Sequence, residues 1–328
     1  MRLTISTSGG QTVENAWNLV GNVVWSGDKQ RAARTLTFDL AASEADPNLP
    51  VVPCPVGAIV SLWDDGGTPL FQGEVVKISL SDREAVIPVV VHDRGMFLAG
   101  NDGTVKIRDE TAEDAVSRIC KMYEIPVGEL ASTKVPLRRK FTATPLWSIV
   151  TTLYTMAAQQ TGEQYLARFE WDRLTVRTRS EQGENLIIRP RSNLITTTTT
   201  ESIENMRNSV GIYDKDGNRL ATVQNESAVA IYGLLEEHIT QRDSQDAQGE
   251  ARQILEERGY AQTLTVQCVG DTSLTTGRTV VVQAAEHLSG VFWIDSDTHR
   301  WSAGNYTTDL TLNLRNVMYQ AEAGSDLE

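Results

Sequence analysis

Leu36, Phe38 and Leu40 alternate with Thr35, Thr37 and Asp39, and this period of two predicts a strand with one face in a core. Val23-Val-Trp25-Ser-Gly27 precedes it across the polar Asp28-Lys-Gln-Arg31 stretch, which predicts a hairpin. Asp46-Pro-Asn-Leu-Pro50 and Pro53-Cys-Pro55 interrupt regular structure. Beyond them Asp64-Asp-Gly-Gly67 supplies turn residues between a strand ending at Trp63 and one starting near Leu70. Short strands at this spacing over the first hundred residues predict a sandwich or barrel.

The period changes after Asn101-Asp-Gly103. Thr111-Ala-Glu-Asp114 has the form of a capping box, and Val116, Ile119, Cys120 and Tyr123 follow at helical spacing. Thr144 as N-cap and Pro145 in the first turn open a second predicted helix with Leu146, Ile149, Val150, Leu153 and Ala157 inward, closed by Gly162. Tyr165 to Trp171 and Leu174 to Thr178 then read as a hairpin, so residues 104–190 form a small α+β domain. Strands return from Ile187. The run Thr196 to Thr200 favours extended structure through β-branching, with disorder as the rival reading. Ser209 to Tyr213 and Arg219 to Val223 flank the turn Asp214-Lys-Asp-Gly-Asn218. A helix over about 244–258 carries Ala247, Ala251, Ile254 and Leu255 inward and ends at Gly259.

One pattern occurs twice. Gly57-Ala-Ile-Val60-Ser-Leu62, a turn, Leu70 to Ile78, a second turn and Ala85 to His92 are matched by Gly277-Arg-Thr-Val280-Val-Val282, Gly290 to Asp295 and Tyr306 to Leu314. Gly57 and Gly277 are 220 positions apart, as are Phe71 and Val291. Two similar β-modules at opposite ends suggest a symmetric building block. The expected domains are 1–103, 104–190, 191–319 with its inserted helix, and a mobile acidic tail over 320–328.

At 328 residues, 40% of them hydrophobic, the chain should hold two or three folded domains. No stretch approaches the roughly 18 apolar residues of a membrane helix, and Met1-Arg-Leu-Thr-Ile-Ser lacks the features of a signal peptide, so cytoplasmic synthesis without membrane insertion is expected. A net charge of −13 argues against nonspecific nucleic-acid binding, which needs clustered Lys and Arg. Cys54, Cys120 and Cys268 have neither the number nor the spacing for a disulfide framework or a zinc site.

The four histidines, His92, His238, His287 and His299, show no metal spacing, and no nucleophile elbow, phosphate loop or kinase signature occurs. Asp295, Asp297 and His299 form the one cluster worth testing; on a strand all three would share a face. The competing reading is a polar strand end. Glu236-Glu237 and Glu256-Glu257 read as solvated pairs rather than glycosidase carboxylates, and the seven tryptophans as core. No catalytic, cofactor-binding or metal-ligating residue is assigned.

The order of motifs resembles a family. Trp25-Ser-Gly27, Ala33 to Phe38, Leu70 to Val75 and His92-Asp-Arg-Gly-Met-Phe-Leu98, then Ala115 to Cys120 with Glu124 to Gly128, Leu146 to Ile149, Ala228 to Gly233, Gly277 and Ile294 to His299 are similar to the XkdQ/YqbQ-like tail proteins of phages and phage-derived contractile particles. The segment Asp46 to Pro55 departs from that pattern. The resemblance implies a mainly β fold with two β-barrel domains flanking the α+β domain. It implies a baseplate hub: a homotrimer forming a pseudo-six-fold ring that joins the hexameric tail tube, or a tube initiator, to the trimeric spike. Other baseplate proteins would be partners. DNA or a tape-measure protein would pass through the channel without specific binding, and the location would be a virion or tail-like particle, a headless bacteriocin included. Arg34 and Asp93 match the family pattern as packing residues. The rival functions are a tail-carried peptidoglycan hydrolase using Asp295, Asp297 and His299, and a wall-carbohydrate module over 104–190.

Overall fold

The alternation at Thr35 to Ala41 folds as expected: β3 (Val20–Asp28) and β4 (Thr35–Ala41) pair antiparallel with Trp25 opposite Leu36, and Leu36, Phe38 and Leu40 are buried. The computed structural model describes residues 1–42, 48–81, 85–179, 186–241, 247–284 and 289–327, without the side chains of 253 and 257. Ahead of the hairpin lie β1 (Arg2–Ser6), β2 (Thr12–Val13) and a single 3-10 turn at Trp17–Leu19. After it come β5 (Ile59–Trp63), β6 (Pro69–Ile78) and β7 (Val86–His92), giving the neighbour order β3-β4-β7-β6-β5-β1-β2. Leu3, Ile5, Phe38, Val60, Leu62 and Val91 fill the core of this first module. Part of the proline-broken segment, 43–47, lies outside the described residues.

The middle of the chain has its own core. It comprises α1 (Gly95–Gly100), β8 (Asp102–Glu110), α2 (Ala112–Met122), β9 (Val127–Leu130), β10 (Leu137–Pro145), α3 (Leu146–Thr161), β11 (Tyr165–Glu170) and β12 (Arg173–Thr178). Thr111 caps α2 as its box predicts, with Oγ1 accepting from the Asp114 amide. Thr144 does not cap α3. It belongs to β10, Pro145 holds extended geometry at the cap position, and the Leu146 amide donates to Asn101 O at 2.9 Å instead. That bond starts the helix one residue later than the Thr-Pro signal places it. Ile107, Ile119, Phe141, Leu153 and Leu174 pack between these elements. The acidic C-terminus, expected as a mobile tail, runs along this core: Ser325 and Lys140 exchange backbone bonds of 2.8 Å, and the Ala323 amide donates to Thr152 Oγ1. The free edge of β10 gives those polar groups partners.

The second module begins at β13 (Ile187–Ile188) and β14 (Leu194–Ser202), the threonine run, and resumes with β18 (Ala261–Val269), β19 (Thr279–Gln283), β20 (Ser289–Ser302) and β21 (Asn305–Asn313). Between β14 and β18 the chain makes a separate compact unit, Thr198–Thr265. In that unit β15 (Ser209–Tyr213), β16 (Arg219–Gln224) and β17 (Glu236–Thr240) form a sheet, α4 (Glu226–Tyr232) connects β16 to β17, and α5 (Ala247–Glu257) lays Ala247, Ala251, Ile254 and Leu255 against Val210 and Ile212. Residues 244–246 of the predicted helix lie outside the described residues.

The repeat is physical. In the first module Val60 pairs Gly73 and Val75 pairs Val91; in the second Val280 pairs Phe292 and Ile294 pairs Leu312. Both modules break register at one place, after Val75 and after Ile294. Gly57 N donates to Val75 O and Gly277 N to Ile294 O, each at 2.8 Å. Paired residues of β5 and β19 are therefore 220 positions apart, those of β6 and β20 219, and those of β7 and β21 221. This corrects one expected match, since Phe71 is the counterpart of Gly290 rather than Val291. A one-residue slip exchanges the faces of a strand, and Phe71 is buried where Val291 is exposed. Strand order also repeats, β3-β4-β7-β6-β5 against β14-β18-β21-β20-β19. Among the described residues no sheet closes into a barrel. Instead β20 is long enough to pair β19 with its first half and β3 with its second, which joins the modules in one sheet.

Candidate functional site

The register break in β20 decides what the Asp295, Asp297 and His299 cluster becomes. An extra residue in a bulge resets the alternation of side chains. Asp297 and His299 share a buried face, while Asp295 turns elsewhere and accepts from Lys29 Nζ at 2.7 Å and Asn313 Nδ2 at 3.3 Å, with Arg179 Nη2 3.5 Å away. The three residues do not form one site.

Asp297 is 1% exposed and surrounded by donors. Arg34, on the tight β3–β4 connection, reaches it with both guanidinium nitrogens, Nη1 to Oδ1 at 3.0 Å and Nη2 to Oδ2. The Thr276 amide and hydroxyl donate to Oδ1 at 2.7 and 2.6 Å. Burial alone would raise this carboxyl; the Arg34 guanidinium and His299 outweigh it and hold Asp297 well below the usual carboxylate range. His299, with no exposure, lies with Nε2 3.2 Å from Asp297 Oδ2, close but poorly aligned for a hydrogen bond. Its Nδ1 is 2.9 Å from Tyr306 Oη and 3.2 Å from Thr308 Oγ1. Trp25 packs on both His299 and Arg34: its ring lies 4.8 Å from the His299 ring, and the Arg34 guanidinium sits 4.2 Å above it. Gly27 makes room, because a Cβ there would lie 2.1 Å from Arg34 Nη1.

The same Arg34 is anchored from behind. Its amide donates to Asp93 Oδ2 at 3.0 Å, and the Gly95 amide donates to Asp93 Oδ1 at 2.8 Å. Burial pushes Asp93 up to about 7 against these bonds. On the far side, Arg168 from the middle core donates to Thr276 O at 3.0 Å. A chain of polar contacts thus runs from β7 through Arg34, Asp297 and Thr276 to β11, across the line where β3 meets β20.

This arrangement holds strands together and leaves no open position for a reacting group. A general acid or base must reach the proton it transfers, whereas Asp297 and His299 are enclosed. The other candidates are occupied too. Glu236 is bound by Arg219, His238 and Ser209, and Glu237 by Arg258 and Arg207. His92 is half-buried against Thr35, while His287 and the side chain of Glu257 lie outside the described residues. Burial raises the thiols of Cys54, Cys120 and Cys268 to about 11, 12 and 12, away from thiolate reactivity. Among the described residues no group of three or more His, Cys, Asp or Glu is arranged to hold a metal ion, and no helix is long and apolar enough to cross a membrane. An open cleft of about 750 Å³ is lined by Trp17, Trp301, Tyr306 and Asp271, but Trp301 stacks on Tyr306 at 4.4 Å and meets Trp17 edge-on at 5.9 Å.

Residues 23–313, from within β3 to the end of β21, match the model of the YQBQ-like family. The chain belongs to that family. A curated relative, the phage-like element PBSX protein XkdQ of Bacillus subtilis, is 22% identical over 263 residues, covering 77% of this chain and 80% of the relative. The 43 kDa tail protein of prophage MuSo2 from Shewanella oneidensis has the same fold, with a TM-score of 0.75 at 13% identity over 95% of this chain and 98% of that one. An Escherichia coli component of the type VI secretion system, itself structurally similar to the T4 tail proteins gp27 and gp5, aligns with a TM-score of 0.57 at 15% identity, over 100% of this chain and 80% of that one. The YQBQ-like chain therefore has a phage-tail fold. Arg34, Asp93, Asp297 and His299 all fall inside the family match. Sequence reasoning placed Arg34 and Asp93 in packing roles but missed that Arg34 meets Asp297, 263 positions away.

Proposed function

We propose that this protein is a structural hub subunit of a phage-tail or tail-like baseplate, in which three copies form a ring that presents six similar modules to the tail tube and three-fold symmetry to the spike. The observation that carries this reading is the module repeat: two five-stranded units of one strand order, one pairing register and one bulge, joined in a single chain. A chain with two equivalent modules is what a six-fold to three-fold junction needs, and closed rotational symmetry then constrains the contacting surfaces rather than any pocket. The phage-like element protein and the prophage tail protein that the chain resembles agree with a tail component. The Arg34–Asp297 lock fixes the angle between the two modules of one chain.

In this reading acidic side chains, abundant in a chain of net charge −13, face part of the central channel and let DNA or a tape-measure protein pass without sticking. The middle core lies outside the ring and meets the spike or other baseplate proteins. Mass measurement of the purified chain with its co-assembled neighbours tests the proposal, with three copies expected; an assembly with any other copy number overturns it. A reconstruction showing a neutral or basic lumen would remove the channel argument while leaving the ring.

A further inference from the structure

Among the unpaired strand edges of the described residues, two correspond to the two that are joined inside the chain. In the internal seam β3, the first strand of module one, lies beside the second half of β20, from Ser296 opposite Asp28 to Trp301 opposite Val23. Exchange the modules and the counterpart is β14 beside the second half of β6. Among the described residues neither edge has a strand paired on that side. β6 pairs β5 up to Glu74, closes with Val75 on Gly57 and Ala58, and past its bulge keeps β7 alone. β14 ends the sheet order, with β18 its one neighbour among the described residues.

The counterparts extend to single residues. Lys77 pairs Val90 as Ser296 pairs Thr311, Ile78 pairs Val89 as Asp297 pairs Leu310, and the Ser79 amide bonds Pro88 O where Thr298 pairs Asp309. Ile78 therefore stands at the position of Asp297, and Leu80 at that of His299. His299 is 0% exposed because β3 and Trp25 cover it; Leu80 is 74% exposed. A leucine left bare where its twin is covered by a neighbouring strand marks an interface awaiting that strand. β14 fits the vacancy. Its sequence from Leu194 to Ser202 is β-branched at Ile195 and through five threonines, Ile195 is 51% exposed, and it has no proline or lysine of the kind that guards a free edge.

We infer that β14 of one copy pairs antiparallel with the end of β6, Lys77 and Ile78, and with the Ser79-Leu80 that follows it, on the next copy, repeating between copies the β3–β20 seam within a copy. The contact is heterologous, so it must close a ring or run on as a filament. It rests on the trimer proposed above and names the edges that build it. The polar lock belongs to the permanent internal seam, and the apolar pair Ile78 and Leu80 to the seam made on assembly.

The test is a disulfide between copies in the full chain carrying Cys54→Ser. Leu80→Cys is combined in turn with Thr196→Cys, Thr197→Cys and Thr198→Cys, since a disulfide forms only where Cβ atoms approach to about 4 Å. Mass is measured before and after oxidation, alone and with neighbouring tail proteins. At least one pair is expected to give a covalent product of three copies that requires both cysteines. Leu80→Lys is expected to weaken association at least tenfold with thermal unfolding of the isolated chain unchanged. A trimer that no pair crosslinks and that Leu80→Lys leaves intact overturns the edge assignment while sparing the ring. A chain that stays monomeric in every setting overturns both.

Discussion

The two modules share strand order, register and bulge, yet they differ in what fills the connection between their first two strands. In the first, β3 turns into β4 through the short stretch that holds Lys29 and Arg34, and both side chains point across to β20, onto Asp295 and Asp297. In the second, β14 leads into the whole unit Thr198–Thr265 before β18 returns. The repeated frame tolerates either connection because its core rests on the alternation within strands, Leu36, Phe38 and Leu40 in one and Leu264, Val266 and Cys268 in the other, all buried. What distinguishes the modules is thus the outer neighbour of β5 and β19, antiparallel β1 in one and parallel β13 in the other, together with the loops and the far half of one strand. That far half carries Asp297 and His299 in one module and Ile78 and Leu80 in the other.

The largest expected effect separates those two half-strands. Asp297→Ala removes the acceptor of the Arg34 guanidinium and of the Thr276 amide, leaving a buried charge unpaired, and should cost about 3–5 kcal/mol. Ile78→Ala, at the equivalent position, is half-buried against the first module's core with no buried charge to strand, and should cost less, about 1–2 kcal/mol, in the isolated chain. Urea unfolding of both variants checks the difference, and equal losses would show that the seam is not held by the lock. Arg34→Met combined with Asp297→Leu should recover part of the loss, since it removes the unpaired guanidinium but still leaves the buried Thr276 amide and hydroxyl without their acceptor.

Much of the frame was legible in the sequence, and the reasons are local. The period of two at Thr35 to Ala41, the box at Thr111 to Asp114 and the turn at Asp214 to Asn218 each specify their element through neighbours a few positions away. The module repeat was legible because a glycine and a strand recur at fixed spacing. The bulges were not, since one extra residue in a strand leaves no compositional mark, and without them Asp295 is assigned to the face of Asp297. The seam itself was hidden for the same reason that Arg34 was assigned only to packing. Which strand lies beside β3 depends on the length of β20, 14 residues against 10 in β6, and on partners far away in the chain.

Next in size is the pH dependence of the anchor behind the lock, where the two buried carboxyls have opposite signs. Unfolded, Asp93 loses its proton near 3.8; folded, burial keeps it to about 7. Over that interval the folded state holds the extra proton, so this group makes stability fall as pH rises, by roughly 1.4 kcal/mol for each unit. Asp297 is held low, so its stabilisation is present above the ordinary carboxylate range and lost as pH falls through and below it. Asp93→Asn should flatten the decline between pH 4 and 7 and leave the acid limb in place. A slope unchanged by that substitution would mean that Asp93 does not titrate there.

The smallest effect compares the glycines that open the two modules. Gly57 and Gly277 both hold a left-handed backbone, φ +84° and +90°, so that the amide can turn back to Val75 O or Ile294 O. Alanine at either position meets the same backbone penalty, about 1–2 kcal/mol. The surroundings differ: a Cβ on Gly57 meets nothing within 4 Å, while one on Gly277 would lie 2.0 Å from Leu166 Cδ2. Gly57→Ala should therefore show the backbone term alone, and Gly277→Ala that term plus displacement of the Leu166 side chain on β11. Pairing Gly277→Ala with Leu166→Ala separates the two, because removing the leucine tip relieves the clash and leaves the φ cost. If the double variant recovers nothing beyond additivity, Leu166 already moves aside freely. The second module would then be no more tightly held against the middle core than the first is against solvent.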